Sequence, residues 1–531
     1  MERKNTQKPE FVEKFVKPRN TEIKHIGNNW YLYERLNRYD ASIRRSRKVS
    51  GQCIGKITEQ GLVPSKRRMV KAETMTVKSV VDVGSSLYLW DRTAEIRQRL
   101  QRHFPSDWER IYVAALVRAF YEPRFKRLQL HFEESFLSVL FPSLRFGATD
   151  NSAMLRNLGR NREKISAFMQ EDVKKHSKFI LFDGHRLITA SKGMPFGELG
   201  YDSKRRFKPQ INLLYAYSLA ESSCAPVYYK QFNGSTPDVK AFPDLLKEMA
   251  ISNKGATIVA DKGFGSEEDF SLIEDVGLGY VIPLRRGNRF VKDGLPAAPS
   301  GYDDGFVYHG RAIQYKEYPQ EGFNVFLYFD TQLFADEMED YCERLEKQNN
   351  TNEIKAKAEN KRILQGKGRL SAEELEALKP VKLTEIFSQV PEIGTVSIRT
   401  NRTDLNGCQV YCIYKQRQAV EQFFKLYSDT MEFEASYMRD QTCEEGWLFL
   451  NHLSSIIGTS CIESIAAIGE SKNISLDDIR QTMNKIRACK IGSTWQIEPI
   501  KKQTQKLLSK IDMEVTSEAL EALIKVRSSA T

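Results

Sequence analysis

Two short apolar segments in the middle of the chain each end in an aspartate, and this repeated pattern constrains the fold most strongly. Residues 178–182 (Lys-Phe-Ile-Leu-Phe) precede Asp183, and residues 256–260 (Ala-Thr-Ile-Val-Ala) precede Asp261. Short apolar runs of this kind are typical of strands buried on both faces. Because apolar residues at helical spacing lie between them at 239–250, the pattern predicts a mixed α/β sheet. Acids at strand ends gather where the functional face of such a sheet opens, although a single strand-terminal Asp is more often a turn residue.

Length and composition exclude several classes of protein. The chain has 531 residues, of which 41% are hydrophobic and 28% charged, so it can bury a large core and is neither collagen-like nor wholly disordered. No apolar run approaches the roughly 20 residues that cross a bilayer, and no apolar stretch follows the polar N-terminus. The eight cysteines form no CxxC pair. We therefore expect a cytoplasmic protein without a membrane partner, a disulfide framework or a zinc site.

Changes in pattern along the chain divide it into six expected segments. Apolar residues at helical spacing predict a helical domain before the sheet, and short β segments followed by a charged helix indicate an insertion after it. The expected divisions are a basic N-terminal module (1–80), a helical domain (85–175), a core in two parts (177–287 and 411–470), an insertion domain between those parts (288–410) and a C-terminal helical tail (471–531).

The excess positive charge of the chain lies entirely in its first 80 residues. The formal net charge is +11, and residues 1–80 hold 19 Lys/Arg against 8 Asp/Glu, which leaves the remainder balanced. Such a concentration is expected of a module that binds the phosphate backbone of DNA, and a solvated basic arm is an equally good interpretation of charge alone. The densest runs are Arg44, Arg45, Arg47 and Lys48, and then Lys66, Arg67 and Arg68.

A third acid lies on a predicted helix that begins near Tyr414. At 100° per residue, Arg417 lies about 40° from Glu421, and Lys425 lies about 40° from it as well. The apolar residues of this segment form a separate stripe roughly 100° round the helix, so packing that stripe on the sheet would leave Glu421 at the rim of the interface. An ordinary i,i+4 Arg–Glu pair, worth a few tenths of a kcal/mol, explains the same spacing, and helix geometry alone favours it.

This helical segment resembles the Tyr-x2-Arg-x3-Glu-x6-Lys signature of the IS-four-like DDE transposases of bacterial and archaeal insertion sequences. Tyr414, Arg417 and Glu421 match the signature in type and spacing. Ser428 stands at the position of the family's Lys, and Lys425, one turn after Glu421, could take its place.

Two further blocks carry the same resemblance. Leu-Phe-Asp183-Gly is similar to the family's first acidic block, and Val-Ala-Asp261-Lys-Gly-Phe is similar to its second. The long gap between Asp261 and Glu421 matches members that have an insertion at this point. The similarity extends over about 177–465 and implies an RNase H-like mixed sheet with flanking helices.

The resemblance implies a two-metal active site formed by Asp183, Asp261 and Glu421. Three converging carboxylates repel one another unless a cation neutralises them, and oxygen ligands select Mg²⁺ or Mn²⁺ over zinc. By this resemblance Asp183 bridges both ions, while Asp261 and Glu421 hold one each. The expected activity is cleavage of the DNA strand at transposon ends, followed by transfer of the free 3′-hydroxyl into target DNA.

The same resemblance implies double-stranded DNA as the partner, both as terminal inverted repeats and as target. Tyr414, Arg417 and Lys425 are expected to position backbone phosphates near the cut, and Arg285 and Arg289, which follow a predicted strand, are expected to contact DNA as well. A homodimer on DNA and a prokaryotic, nucleoid-associated location follow from the same resemblance.

Two alternatives remain open at this point. The first is an RNase H-fold nuclease that cuts DNA without joining it, and a strand-transfer assay with pre-cut ends would separate the two. The second is a DNA-binding protein whose active site has decayed, which Ser428 favours and the three retained acids disfavour. Metal-dependent nicking would discriminate between an enzyme and such a protein.

Overall fold

The structure is a computed structural model of the 531-residue chain. It describes residues 8–40, 44–65, 77–122, 124–175, 178–201, 207–219, 224–251, 255–296, 301–366, 369–380, 392–417, 435–470 and 473–529. The chain divides into two compact units, one formed by Met1–Ser79 with Lys490–Thr494 and the other by Val80–Cys489 with Trp495–Thr531.

The smaller unit is built on a four-stranded antiparallel sheet. Its strands are β1 (Thr21–Ile26), β2 (Asn29–Asp40), β3 (Arg45–Thr58) and β4 (Gly61–Pro64), which pair in chain order, and helix α1 (Glu10–Glu13) precedes them. A small core of buried side chains holds the unit together and consists of Val12, Trp30, Leu32 and Ile57.

The larger unit begins with helices, as the apolar spacing predicts. They are α2 (Gly84–Arg92), α3 (Ala94–His103), α4 (Trp108–Phe120), α5 (Leu128–Glu134), α6 (Leu137–Leu140), α7 (Ala148–Gly159) and α8 (Arg162–Lys175). Helix α4 is buried from Ile111 to Phe120 because its apolar residues are not confined to one stripe.

A large mixed sheet follows, and the prediction of a mixed α/β sheet is confirmed. Its first strands are β6 (Phe179–Thr189), β7 (Glu198–Tyr201), β8 (Phe207–Leu219), β9 (Cys224–Asn233), β10 (Thr257–Val259) and β11 (Gly279–Pro283), with helices α9 (Asp238–Met249) and α10 (Glu267–Asp275) between the later ones. Strand β10 runs parallel to both β6 and β11, whereas β8 pairs antiparallel with β6, β7 and β9.

Residues 288–410 extend this sheet rather than forming a body apart from it. After α11 (Arg289–Gly294) come β12 (Asp304–Tyr308), β13 (Arg311–Gln320), β14 (Phe323–Asp330) and β15 (Thr395–Thr400), and the sheet order is β12-β13-β14-β15-β11-β10-β6-β8-β7. Helices α12 (Thr331–Leu364) and α13 (Ala372–Glu376) lie between β14 and β15 in the chain. The expected insertion thus shares a sheet with the core, because β15 pairs with both β11 and β14. The domain limits themselves stay a prediction.

The C-terminal part follows helix α14 (Gly407–Lys415) and the short strand β16 (Ala435–Ser436), which pairs with β6. Helix α15 (Gln441–Ala467) is largely buried, and Trp447 on it is a core residue, as its helical spacing with leucines predicts. Among the described residues, no helix is long and apolar enough to cross a membrane.

The expected C-terminal helical tail contains a β-hairpin as well as helices. Helix α16 (Leu476–Met483) is followed by β17 (Arg487–Ile491) and β18 (Thr494–Ile497), and then by α17 (Lys502–Lys510) and α18 (Ser517–Ser529). These two strands and β5 (Val77–Asp82) form a three-stranded sheet in the order β18-β17-β5. Gly492 turns the chain with a positive φ of 62°, and Trp495 is buried 5.4 Å from the Phe136 ring, so local packing overrides the helical expectation.

Candidate active site

Asp183 lies in the interior of strand β6, which corrects the expectation that the strand ends there. Residues 184–188 continue to pair with β8, from Gly184 opposite Leu214 to Ile188 opposite Gln210. The neighbouring strand on the other side, β10, stops at Val259. Asp183 therefore lies just beyond the point along the sheet at which β10, the strand parallel to β6, has ended.

Asp261 follows β10 at the same level. The parallel register pairs Val259 with Leu181, so each acid comes two residues after one member of this pair. Neighbouring strands lie about 4.8 Å apart, which brings the two carboxylates into one region of the sheet. The Asp261 carboxylate also accepts a 2.7 Å hydrogen bond from the backbone N–H of Lys262 and so caps the short 3-10 turn Lys262–Phe264.

The surroundings of Asp183 disfavour its negative charge. Burial raises the pKa of this carboxyl to about 6; the Arg417 guanidinium acts to lower it, and the carboxylates of Asp238 and Asp261 raise it further. A hydrogen bond from the backbone N–H of Gly184 also acts to lower the pKa. An acid held among other acids in this way is stabilised by added positive charge.

Arg417 supplies part of that positive charge. Its Nη1 lies 3.5 Å from Oδ1 of Asp261, and its charge also acts on Asp183. The structure thus brings together three of the residues that the sequence singled out, namely Asp183, Asp261 and Arg417. A guanidinium between two carboxylates is also suitably charged to contact a phosphate.

Helix α14, which leads to Arg417, is anchored on strands of residues 288–410. The Tyr411 hydroxyl donates a 2.9 Å hydrogen bond to Asp330 Oδ2, and the Tyr328 hydroxyl donates a 2.7 Å hydrogen bond to the carbonyl of Gly407. Asp330 is fully buried, and Arg311 forms a 3.2 Å ion pair with it. The strands that extend the sheet therefore fix the helix that carries Arg417 toward the acids.

Asp238 is a fourth acid at this place. Its Oδ1 accepts 2.9 Å hydrogen bonds from Arg186 Nη2 and from Asn212 Nδ2. A Cβ built on Gly184 would lie 2.3 Å from Asp238 Oδ2, so a larger residue there would force the Asp238 carboxylate or strand β6 to move. The sequence marks Asp238 only as the residue before the helical pattern at 239–250, whereas in the structure it is the first residue of α9, Pro237 is the cap residue, and the Asp238 side chain turns toward β6. The glycine directly after Asp183 was the available signal.

Three further residues that the sequence predicts to contact DNA, Tyr414, Arg285 and Arg289, lie within the described ranges. Tyr414 is half-buried on α14, whereas Arg285 and Arg289 are exposed after β11, and the Arg289 guanidinium lies 4.6 Å from the centre of the Phe290 ring. Glu421 and Lys425 lie outside the described residues, so their predicted roles stay predictions.

The basic runs of the N-terminal module fall on different parts of it. Arg44, Arg45, Arg47 and Lys48 are exposed where strand β3 begins. Lys66, Arg67 and Arg68 lie outside the described residues.

Asp183 and Asp261 fit a divalent cation by the chemistry of their donors. Both offer carboxylate oxygens, the donors that Mg²⁺ and Mn²⁺ prefer. The pKa of Asp183 is raised mainly by burial, and the carboxylates of Asp238 and Asp261 add to that effect. Within the described ranges, no group of three His, Cys, Asp or Glu side chains could hold a metal ion. Two carboxylates are therefore in place, and the predicted third ligand, Glu421, belongs to a segment outside those ranges.

The site thus combines Asp183 on β6 with Asp261 just after the parallel strand β10, and Arg417 lies beside them. The profile of the family described as Transposase DDE domain matches residues 174–457, more than half of the chain, and this protein belongs to that family. The match spans Asp183, Asp261 and Arg417.

The comparison with curated proteins finds no match. Among solved structures, the chain is similar to the piggyBac transposase synaptic complex with hairpin DNA, determined by cryo-electron microscopy. The TM-score is 0.37 and the sequence identity 10%, over 79% of this chain and 75% of that one.

Proposed function

We propose that this protein is a divalent-metal-dependent DNA transposase of the IS-four-like type with an RNase H-like catalytic core. It cleaves DNA strands at transposon ends and transfers them into target DNA. The observation that carries the proposal is the shared level of Asp183 on β6 and Asp261 just after the parallel strand β10, with Arg417 Nη1 3.5 Å from Asp261, inside a Transposase DDE domain.

In this proposal Asp183, Asp261 and Glu421 hold two Mg²⁺ or Mn²⁺ ions. Bound metal lowers the pKa of an attacking water or 3′-hydroxyl and stabilises the leaving oxygen. Burial and the neighbouring carboxylates raise the pKa of Asp183 to about 6, so a bound cation would favour its ionised form. Asp238 binds Arg186 of β6 and Asn212 of β8 and thereby supports the strand that carries Asp183.

DNA contacts are assigned to the basic and aromatic residues around these acids. Arg417 positions a backbone phosphate next to the carboxylates, and Tyr414 and Lys425 act on the same stretch of DNA. Arg285 and Arg289 contact DNA further along, from the exposed segment after β11. The N-terminal module binds the terminal inverted repeats through its basic runs, and two copies of the chain hold two ends together in a prokaryotic cell.

The test is a cleavage and joining assay on duplexes made from the DNA that borders the gene. With Mg²⁺, the full chain should nick the duplex and join pre-cut 3′ ends to a plasmid, and chelation should stop both reactions. Asp183→Asn, Asp261→Asn and Glu421→Gln should each lower cleavage at least about a hundredfold while duplex binding persists. Asp275→Asn, an exposed acid at the end of α10, is the matched control and should cut normally.

Two results would contradict the proposal. Cleavage that survives Asp183→Asn or Asp261→Asn would remove the assigned ligands. Nicking without joining of pre-cut ends would leave a nuclease instead of a transposase.

A further inference from the structure

The hairpin of β2 and β3 continues well beyond the sheet that contains it. Strand β1 pairs with β2 only over Asn29 to Glu34, and β4 pairs with β3 only over Gly55 to Thr58. From the pair Arg35–Ser50 to the pair Asp40–Arg45, the two strands pair with each other and with no other described strand. We call residues 35–40 and 45–50 the ribbon.

An irregular register separates the ribbon from the sheet. The pairing of β2 with β3 shifts between Leu32 and Tyr33 and again between Tyr33 and Arg35. Register shifts of this kind increase the twist of a hairpin and change its direction. At about 3.4 Å per residue, the six paired positions extend roughly 17 Å beyond the shift.

The ribbon has no core of its own. Residues 35–39 and 44–50 are exposed, and they include large apolar side chains, with Leu36 52% and Tyr39 65% exposed. Isolated two-stranded hairpins are at best marginally stable in water. A hairpin that extends this far without burying its side chains is therefore suited to contact a partner on both faces.

Cross-strand pairing divides the side chains of the ribbon between two faces. Directly opposed residues share a face, and successive pairs alternate. Asn37 opposite Lys48 lies on one face, together with Tyr39 opposite Ser46. This face, which we call the polar face, carries hydrogen-bond donors and acceptors.

The opposite face carries two arginines directly across from one another. Arg38 is opposite Arg47, and the next pair toward the sheet is Leu36 with Val49. The ribbon as a whole carries five basic residues (Arg35, Arg38, Arg45, Arg47 and Lys48) against one acid, Asp40. This arrangement favours a polyanion as the partner.

We propose that the ribbon inserts into the major groove of double-stranded DNA, with Asn37 and Lys48 reading base edges and Arg38 and Arg47 bound to backbone phosphates. A two-stranded ribbon fits a groove about 12 Å wide and 8.5 Å deep. Asn pairs with adenine and Lys with guanine there, whereas phosphate contacts supply affinity without sequence preference. The inference rests on the proposed function only for the choice of DNA as the partner.

The test uses the full chain without added metal and a pool of randomised 30-base-pair duplexes. The parent protein should enrich a sequence motif. Asn37→Ala with Lys48→Ala should reduce the preference for the selected duplex over an unrelated one about fivefold or more. Arg38→Ala with Arg47→Ala should keep the motif, weaken binding to any duplex about tenfold, and reduce the slope of log affinity against log salt by about 2.

Lys14→Ala with Lys17→Ala is the matched control, because it removes two exposed cations of the same unit outside the ribbon. It should leave both the preference and the salt slope nearly unchanged. Thermal unfolding of each variant shows that the unit remains folded.

The proposal is overturned if the Asn37/Lys48 variant keeps the parent's sequence preference, or if the control weakens binding as much as the Arg38/Arg47 variant does. It is also overturned if single-stranded RNA of equal length binds as tightly as the duplex and its binding weakens as much in the ribbon variants. Its failure is distinct from failure of the proposed function. A chain that cuts DNA with Mg²⁺ but ignores ribbon changes refutes only the ribbon, and a chain that binds through the ribbon but never cuts refutes only the enzyme.

Discussion

At the scale of single residues, the candidate active site is a concentration of negative charge that the protein compensates only in part. Asp183 experiences the carboxylates of Asp238 and Asp261, and Arg417 offsets some of their charge. Arg186 and Asn212 occupy one oxygen of Asp238, which leaves its other oxygen directed at Gly184. The close contact between Asp238 and Gly184 therefore links the position of Asp238 to that of Asp183, the residue before Gly184.

Gly184→Ala tests that packing. The new Cβ would lie 2.3 Å from Asp238 Oδ2, so the Asp238 carboxylate or strand β6 has to move. We expect a loss of about 1–3 kcal/mol in the free energy of unfolding, together with reduced DNA cleavage. Urea denaturation and the cleavage assay provide the two measurements.

Gly263→Ala is the control for this variant, because a Cβ there meets no atom within 4 Å although the residue is close to Asp261 in the chain. It should leave the free energy of unfolding nearly unchanged. Equal effects of the two substitutions would show that the contact with Asp238 is unimportant.

A second residue-scale prediction concerns Glu444, a buried acid near the start of α15. Burial raises its pKa from the ordinary 4.5 to about 7, although a hydrogen bond from the Ser436 hydroxyl acts to lower it. The unfolded chain loses this proton near pH 4.5 and the folded chain near pH 7. The stabilising contribution of the bound proton is therefore complete below pH 4.5 and lost as the pH rises through 7.

Glu444→Gln should remove this dependence. The variant should gain stability relative to the parent as the pH rises from 5 to 8, by up to about 3 kcal/mol, in urea titrations at several pH values. Glu463→Gln, an exposed position on the same helix, should show no such trend. A difference between Glu444→Gln and the parent that does not change with pH would contradict the assignment.

At the scale of elements, the strands of residues 288–410 serve the site by supporting helix α14. The contact of Tyr411 with Asp330 joins this helix to the end of β14, and Asp330 also caps α12 through the backbone N–H groups of Gln332 and Leu333. One buried carboxylate thus fixes two helices to the sheet edge.

Tyr411→Phe should loosen this support. Loss of the hydroxyl leaves Asp330 with one hydrogen bond fewer in a fully buried position, which should cost about 1–2 kcal/mol in the free energy of unfolding. DNA cleavage should fall as well, because α14 leads to Arg417. Tyr308→Phe, whose ring centre lies 5.3 Å from that of Tyr411, is the matched control and should change cleavage little. Cleavage at the parent rate in Tyr411→Phe would contradict a role for this contact.

Sequence patterns predicted the elements better than their connections. The apolar runs before Asp183 and Asp261 indicated two buried strands, and both strands are present because each lies between others in the sheet. The continuation of β6 past Asp183 could not be predicted, since it depends on pairing with β8, which lies farther along the chain. The joining of β15 to β11 is likewise a long-range pairing that no local pattern encodes.

The same limit applies to the site. Asp183 and Asp261 could be selected because each follows an apolar run, and Arg417 through its spacing in a helix. Asp238 was missed as a site residue because its partners, Arg186 and Asn212, come from two strands distant in sequence. Its closeness to Gly184 appears only once β6 and α9 are packed together.

At the scale of the whole molecule, two kinds of charge are separated along the chain. The surplus of +11 lies within residues 1–80, and the acids of the candidate active site lie in the Transposase DDE domain at residues 174–457. Basic side chains attract the phosphate backbone of DNA without added metal. Clustered carboxylates repel a phosphate until bound cations neutralise them. Binding and cutting should therefore depend differently on metal, and DNA binding should persist when metal is removed.

The most direct test of the central claim is a count of bound Mn²⁺ by electron paramagnetic resonance, with the full chain on a duplex made from the DNA that borders its gene. The account predicts two ions per chain in the parent protein, loss of both in Asp183→Asn, and loss of one in Asp261→Asn. Asp275→Asn should retain two. Undiminished Mn²⁺ binding in both Asp183→Asn and Asp261→Asn would contradict the claim that these carboxylates form the metal site.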